Sequence, residues 1–138
     1  MCFTETWFKD FESVLLSDIS FLSDVIKICS VKVTIGNESI YVLGINRPPD
    51  KAKLPEFDVI LNDVLSRFDA NDFVFIVGDL NLDTISPSNH EFDSVNNLIS
   101  HSFIPFINLP TRGTACLDHI WSNKMLSMTS GIFPIDVT

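Results

Sequence analysis

A chain of 138 residues with 46% apolar side chains and twelve phenylalanines can furnish one ordinary domain with a core, which excludes a disordered tail. Its formal net charge of −9 argues against a passive nucleic-acid-binding module, because such binding draws on clustered Lys and Arg. Chemistry that uses a divalent cation stays compatible with the acidity, since carboxylates hold the ion and the ion reverses the field a phosphate meets.

Cys2, Cys29 and Cys116 are odd in number and widely spaced, which fits neither a zinc motif nor a disulfide framework. An intracellular, reducing compartment is expected. Residues 1–8 carry no basic leader, Glu5 interrupts their apolar run, and no segment is long enough to span a bilayer, so neither secretion nor a membrane partner is expected.

Residues 1–7 read as the end of a strand. Phe11, Val14, Leu15, Ile19 and Leu22 then recur at steps of three and four and predict a short covering helix. Between Ile28 and Asn46 the β-branched runs flank Gly36-Asn37-Glu38-Ser39, a β-hairpin signal. Pro48-Pro49-Asp50 breaks the sheet, and Phe57, Ile60, Leu61, Val64, Leu65 and Phe68 form a helical stripe ending near Asp69.

Phe73-Val74-Phe75-Ile76-Val77 is apolar on both faces and predicts a central strand buried between layers. A second helix is expected over residues 89–100, capped by Ser88 with Glu91 three residues on, and with Phe92, Val95, Leu98 and Ile99 inward. Short strands follow near residues 103–108 and 117–121, and a last one begins at Gly131. Strands alternating with helices in this way predict a single α/β layered sandwich with mixed sheet pairing.

The central strand runs into Gly78-Asp79-Leu80-Asn81. An acid and an amide two residues apart leave one face of an extended backbone, so Asp79 and Asn81 converge, and Gly78 permits a close approach just before them. That pairing suits phosphoryl chemistry, with Asp79 handling a water and Asn81 a phosphate oxygen. A polar turn that caps a core strand is the alternative on these four residues.

Gly78-Asp79-Leu80-Asn81 resembles the GDxN signature of the endonuclease/exonuclease/phosphatase superfamily, and four other segments agree with it in order. Thr4-Glu5-Thr6-Trp7 is similar to the segment that carries the family's first metal ligand, and Arg47-Pro48-Pro49 to its active-site loop. Pro110-Thr111-Arg112 and Leu117-Asp118-His119-Ile120-Trp121-Ser122-Asn123 resemble stretches common in the endonuclease domains of non-LTR retrotransposons.

The resemblance implies that Glu5 holds Mg²⁺ or Mn²⁺, that Asp79 and Asn81 are catalytic, and that Asp118 orients a catalytic histidine. It assigns Asn46, Arg47, Thr111 and Arg112 to substrate binding, with DNA as substrate and a reverse transcriptase domain as possible partner in a longer polyprotein.

The chain also departs from that pattern. Relatives carry an upstream strand with an Asn near the metal, a Tyr where this chain has Asn46, and an Asp-His pair after the point where this sequence ends in Asp136-Val137-Thr138. The resemblance therefore implies a partial domain, truncated at both ends and weak or inactive alone. His90 and His101 read as helix-end surface residues, and His119 as facing away from Asp118 by strand alternation. Two rivals remain: a non-catalytic globular remnant or binding module, which metal binding would discriminate, and a Rossmann-like domain, which the absence of a Gly-rich phosphate loop argues against.

Overall fold

The computed structural model describes residues 13–124. They form a mixed sheet of six strands: β1 (Ser13–Leu22), β2 (Lys27–Ile35), β3 (Glu38–Asn46), β4 (Phe73–Asp79), β5 (Ile104–Pro105) and β6 (Asp118–Ser122). The strands lie in the order β1-β2-β3-β4-β6-β5. Only the β3–β4 pair is parallel among them, and the connection between those two strands carries helix α1 (Leu54–Leu65). Helix α2 (Asn89–Ser100) joins β4 to β5.

The hairpin turns where the sequence indicates. Gly36 and Asn37 alone separate Ile35 from its register partner Glu38, and Gly36 takes φ +59°, which the first position of such a tight turn favours. One row of the core runs through register partners Leu43, Ile76 and Trp121 across β3, β4 and β6, all fully buried. Leu54, Phe57, Leu61, Val64 and Leu65 of α1 and Leu98 of α2 belong to the same core. Burial of one such side chain contributes about 1.5–3 kcal/mol, so this row and stripe dominate the stability of the described region.

Three sequence expectations change. The stretch expected as a helix before Leu22 is β1, antiparallel to β2. Leu16 pairs with Val31 and Ser20 with Cys29, so β1 takes four steps where β2 takes two. That irregularity breaks the strict alternation of a strand and leaves an apolar spacing that mimics a helix.

In β4, Val74 and Ile76 are buried but Phe73, Phe75 and Val77 are only half-buried, so full cover on both faces is not found. In α2, Phe92 and Ile99 point outward, at 54% and 52% exposure, while Glu91, Ser94 and Leu98 turn inward. Polar bonds set that rotation: Ser94 Oγ donates to Asp58 Oδ2 of α1 at 2.9 Å, and Glu91 is held by its own cap. The strands expected at residues 1–7 and from Gly131 lie outside the described residues.

Candidate active site at the exit of the central strand

The β-branched and aromatic run of β4 stops at Gly78, which takes φ +131°. A Cβ there would sit 2.1 Å from the carbonyl oxygen of Ile45, so only glycine lets β3 and β4 come this close. Beyond it the chain stays stitched to both neighbours. Arg47 N–H donates to the Asp79 carbonyl at 2.9 Å, and Leu80 N–H to the Leu117 carbonyl at 3.1 Å.

Asp79 and Asn81 do meet, though not by the extended spacing expected. Asn81 is left-handed, φ +49°, a conformation its short amide side chain tolerates. Its N–H donates to Asp79 Oδ1 at 3.2 Å, closing a side-chain turn, and its Nδ2 donates to the Arg47 carbonyl at 2.5 Å.

Asp118 opens β6 directly opposite Asp79 in the antiparallel register. Thr111 fixes that start, its Oγ1 accepting the N–H groups of Leu117 at 2.9 Å and Asp118 at 3.1 Å. Between them residues 112–115 form a tight turn in which Arg112 and Ala115 exchange backbone hydrogen bonds and Gly113 takes φ +61°. The turn presents Arg112 to both acids: Nη2 lies 3.0 Å from Asp79 Oδ2 and 3.8 Å from Asp118 Oδ1. The hydrogen bond to Asp79 raises the pKa of this exposed guanidinium above its ordinary value.

Arg47 is buried, at 1% exposure. Its Nε donates to the Leu80 carbonyl at 2.7 Å, Nη2 to the Asn81 carbonyl at 2.8 Å and Nη1 to the Asp50 carbonyl at 3.1 Å, while the guanidinium lies over the Phe57 ring. Burial lowers its pKa, opposed by the fields of Glu91, Asp79, Asp50 and Asp58. Hydrogen bonds from a charged donor contribute about 1.5–3 kcal/mol each and burying an ion costs several kcal/mol, so the net stabilisation is modest. What the three bonds add is geometry.

A cleft of about 420 Å³ opens beside Asn81, lined among others by Lys51, Asp83, Glu91 and Leu117. Glu91 is buried there and Lys51 Nζ lies 3.4 Å from it. Burial pushes the Glu91 carboxyl up, but hydrogen bonds from Ser88, Asp83 and Lys51 outweigh it and leave the pKa below its usual value. Asp83 Oδ1 accepts the N–H of Cys116 at 3.2 Å and ties the post-β4 loop to the turn at residues 112–115. Sequence reasoning missed Asp83 and the inward Glu91; the capping pattern Ser88 to Glu91 was the available signal.

Thus Asp79, Asn81, Asp118, Thr111, Arg112 and Arg47 gather at one end of the sheet. Asn46 sits exposed at the end of β3, opposite Lys27 in register. Glu5 lies outside the described residues. His119 is buried, as its strand parity required, and its Nε2 carries the proton because it donates to the Leu82 carbonyl at 2.7 Å. His101 pairs with Asn62 at 2.8 Å, and His90 is exposed on the first turn of α2. Among the described residues no group of three or more His, Cys, Asp or Glu could hold a metal ion.

No protein-family model matches the chain, and no curated protein does. Solved structures match its fold. The endonuclease domain of TRAS1, a telomere-specific non-LTR retrotransposon, aligns over 79% of this chain and 54% of its own, with TM-score 0.59 and 14% identity. An endonuclease/exonuclease/phosphatase family protein from Leptotrichia buccalis C-1013-b aligns over 75% and 43%, with TM-score 0.55 and 19% identity. D. rerio TDP2 complexed with a single-strand DNA product aligns over 81% and 52%, with TM-score 0.53 and 15% identity. The chain thus spans about half the length of these structures and has the α/β fold of endonuclease/exonuclease/phosphatase proteins.

Proposed function

We propose that this chain is part of one divalent-metal-dependent phosphodiester hydrolase domain that nicks DNA, of the kind carried by non-LTR retrotransposons and accompanied there by a reverse transcriptase. The observation that carries the reading is the gathering of Asp79, Asn81, Asp118 and Arg112 where β4 ends and β6 begins. The similarity in fold to the TRAS1 endonuclease domain and to DNA-bound TDP2 supports it.

In this reading Asp79 orients a water or takes its proton at a carboxylate oxygen. Asn81 spends one amide hydrogen on the Arg47 carbonyl and keeps a second for a phosphate oxygen. Arg112, exposed at the mouth of the site, meets the DNA backbone from its turn, and Asp118 orients a histidine. Asp79 and Asp118 are oxygen donors of the type hard cations take, but Arg112 spans them and they do not complete a metal site among the described residues. Glu5 is therefore the proposed ligand for Mg²⁺ or Mn²⁺, an ion that would supply positive charge to the phosphate. His101 and His119 are engaged elsewhere, so neither is the histidine that Asp118 would orient, and this chain is expected to be weak alone.

Supercoiled-plasmid nicking in Mg²⁺ tests this reading. Slow nicking that Asp79→Ala removes is expected; nicking that survives the substitution overturns the site. No nicking at all favours a non-catalytic globular remnant. Calorimetry with Mn²⁺ should lose its heat in Glu5→Gln, and equal heats would remove Glu5 from the site.

A further inference from the structure

The left-handed residue at the heart of the site is held by an arginine that follows β3. Arg47 and Asn81 grip each other in both directions: Arg47 Nη2 donates to the Asn81 carbonyl and Asn81 Nδ2 donates to the Arg47 carbonyl. Arg47 Nε takes the adjacent Leu80 carbonyl at 2.7 Å, and Arg47 N–H takes the Asp79 carbonyl at 2.9 Å. Three successive carbonyls, from Asp79 to Asn81, thus end on one residue. The guanidinium is itself fixed by the Asp50 carbonyl and the Phe57 ring, 5.6 Å from its centroid.

We propose that Arg47 is a positioning residue, which sets the backbone of residues 79–81 and thereby aims Asp79 and Asn81 without touching substrate. The proposal rests on the phosphodiesterase reading for its kinetic consequence but not for its structural one. A rigid planar fork reaches two carbonyls one residue apart with fixed spacing, and a flexible ammonium does not. Asn81, left-handed at φ +49°, is anchored through its N–H, its side-chain amide and its carbonyl, and loss of the guanidinium removes the carbonyl anchor together with that of Leu80. The spent guanidinium also explains why this arginine is buried although it begins an Arg-Pro-Pro loop at the mouth of the site.

Amide hydrogen exchange and ¹⁵N spectra of wild type, Arg47→Met and Arg47→Lys decide it. In both variants the backbone amides of Leu80 and Asn81 and the side-chain amide of Asn81 should shift and exchange at least tenfold faster, while the β2–β3 amides keep their protection. Plasmid nicking should fall about 10²-fold in kcat with KM little changed, as a misplaced site does. Lysine should not rescue it. Unchanged Asn81 signals would overturn the proposal, and so would protection lost throughout the sheet in both variants, which would make Arg47 a residue of the fold alone. If no protein in the set nicks DNA, the phosphodiesterase reading fails while the exchange data still decide the role of Arg47.

Discussion

Asp79 and Asp118 stand opposite each other across the β4–β6 pair, and the Nη2 of Arg112 lies within 4 Å of both. Like charges in direct register repel, and one exposed guanidinium offsets them. An acid pair neutralised from an exposed turn can be uncovered by moving one side chain.

Arg112→Ala should therefore act on binding more than on folding. The guanidinium is exposed, so the melting midpoint should stay close to wild type. In DNA binding measured across a salt series, the slope of log K against log salt should shrink by about one, as for one lost phosphate contact. An unchanged slope would place Arg112 off the DNA.

Gly78→Ala should be the most damaging alanine substitution among the described glycines. The new Cβ would lie 2.1 Å from the Ile45 carbonyl oxygen, a backbone atom that cannot swing away, and φ +131° suits no L side chain. A loss of about 3 kcal/mol or more in a urea titration is expected. A loss below 1 kcal/mol, on the order of an ordinary surface change, would mean that β3 and β4 are not so close.

Thr111→Val keeps the shape of the side chain but removes the oxygen that accepts the N–H groups of Leu117 and Asp118. Leaving those donors without a partner should cost about 1–3 kcal/mol. Thr111→Ser should recover most of it. Equal stability of the valine and serine variants would remove the hydroxyl from the account.

His119 gives a pH dependence whose sign follows from burial, which lowers its folded pKa, against weaker opposing effects of the Leu82 carbonyl and Asp118. The unfolded chain takes up its proton near pH 6.5 while the folded one still refuses it. Stability is then full above about pH 6.5 and declines as pH falls through and below it, by at most about 1.4 kcal/mol per pH unit. Urea midpoints between about pH 7.5 and 5.5 should show this decline, and His119→Gln, which can still donate to Leu82, should flatten it. Parallel slopes would dismiss His119 as the source.

Residues that speak through local rules were legible in the sequence. Gly36 marked the hairpin, the Phe73–Val77 run marked the central strand, and Ser88 with Glu91 marked the start of α2. The gathering of Asp79 with Asp118 followed from the order of the resembling segments. Residues decided by distant partners were not legible. The rotation of α2 hangs on Asp58 in α1, the fate of the Arg47 guanidinium on carbonyls more than thirty residues away, and the strand character of β1 on a register irregularity against β2.

Such dependence on distant segments also orders assembly in time. The β2–β3 hairpin closes over two residues, and hairpins of this kind form in about 1–10 μs. The bonds of Arg47 to Asn81, Arg112 to Asp79 and Asp83 to Cys116 each close loops of 33 or 34 residues, and all three converge on one short segment. Closing those loops loses chain entropy before any single bond returns it. The expectation is that this end of the sheet, where the candidate site lies, condenses after the rate-limiting step, so that substitutions such as Thr111→Val speed unfolding while leaving the folding rate nearly untouched. Stopped-flow measurements on that variant, with a folding limb slowed in proportion to its loss of stability, would show instead that the site is part of the nucleus.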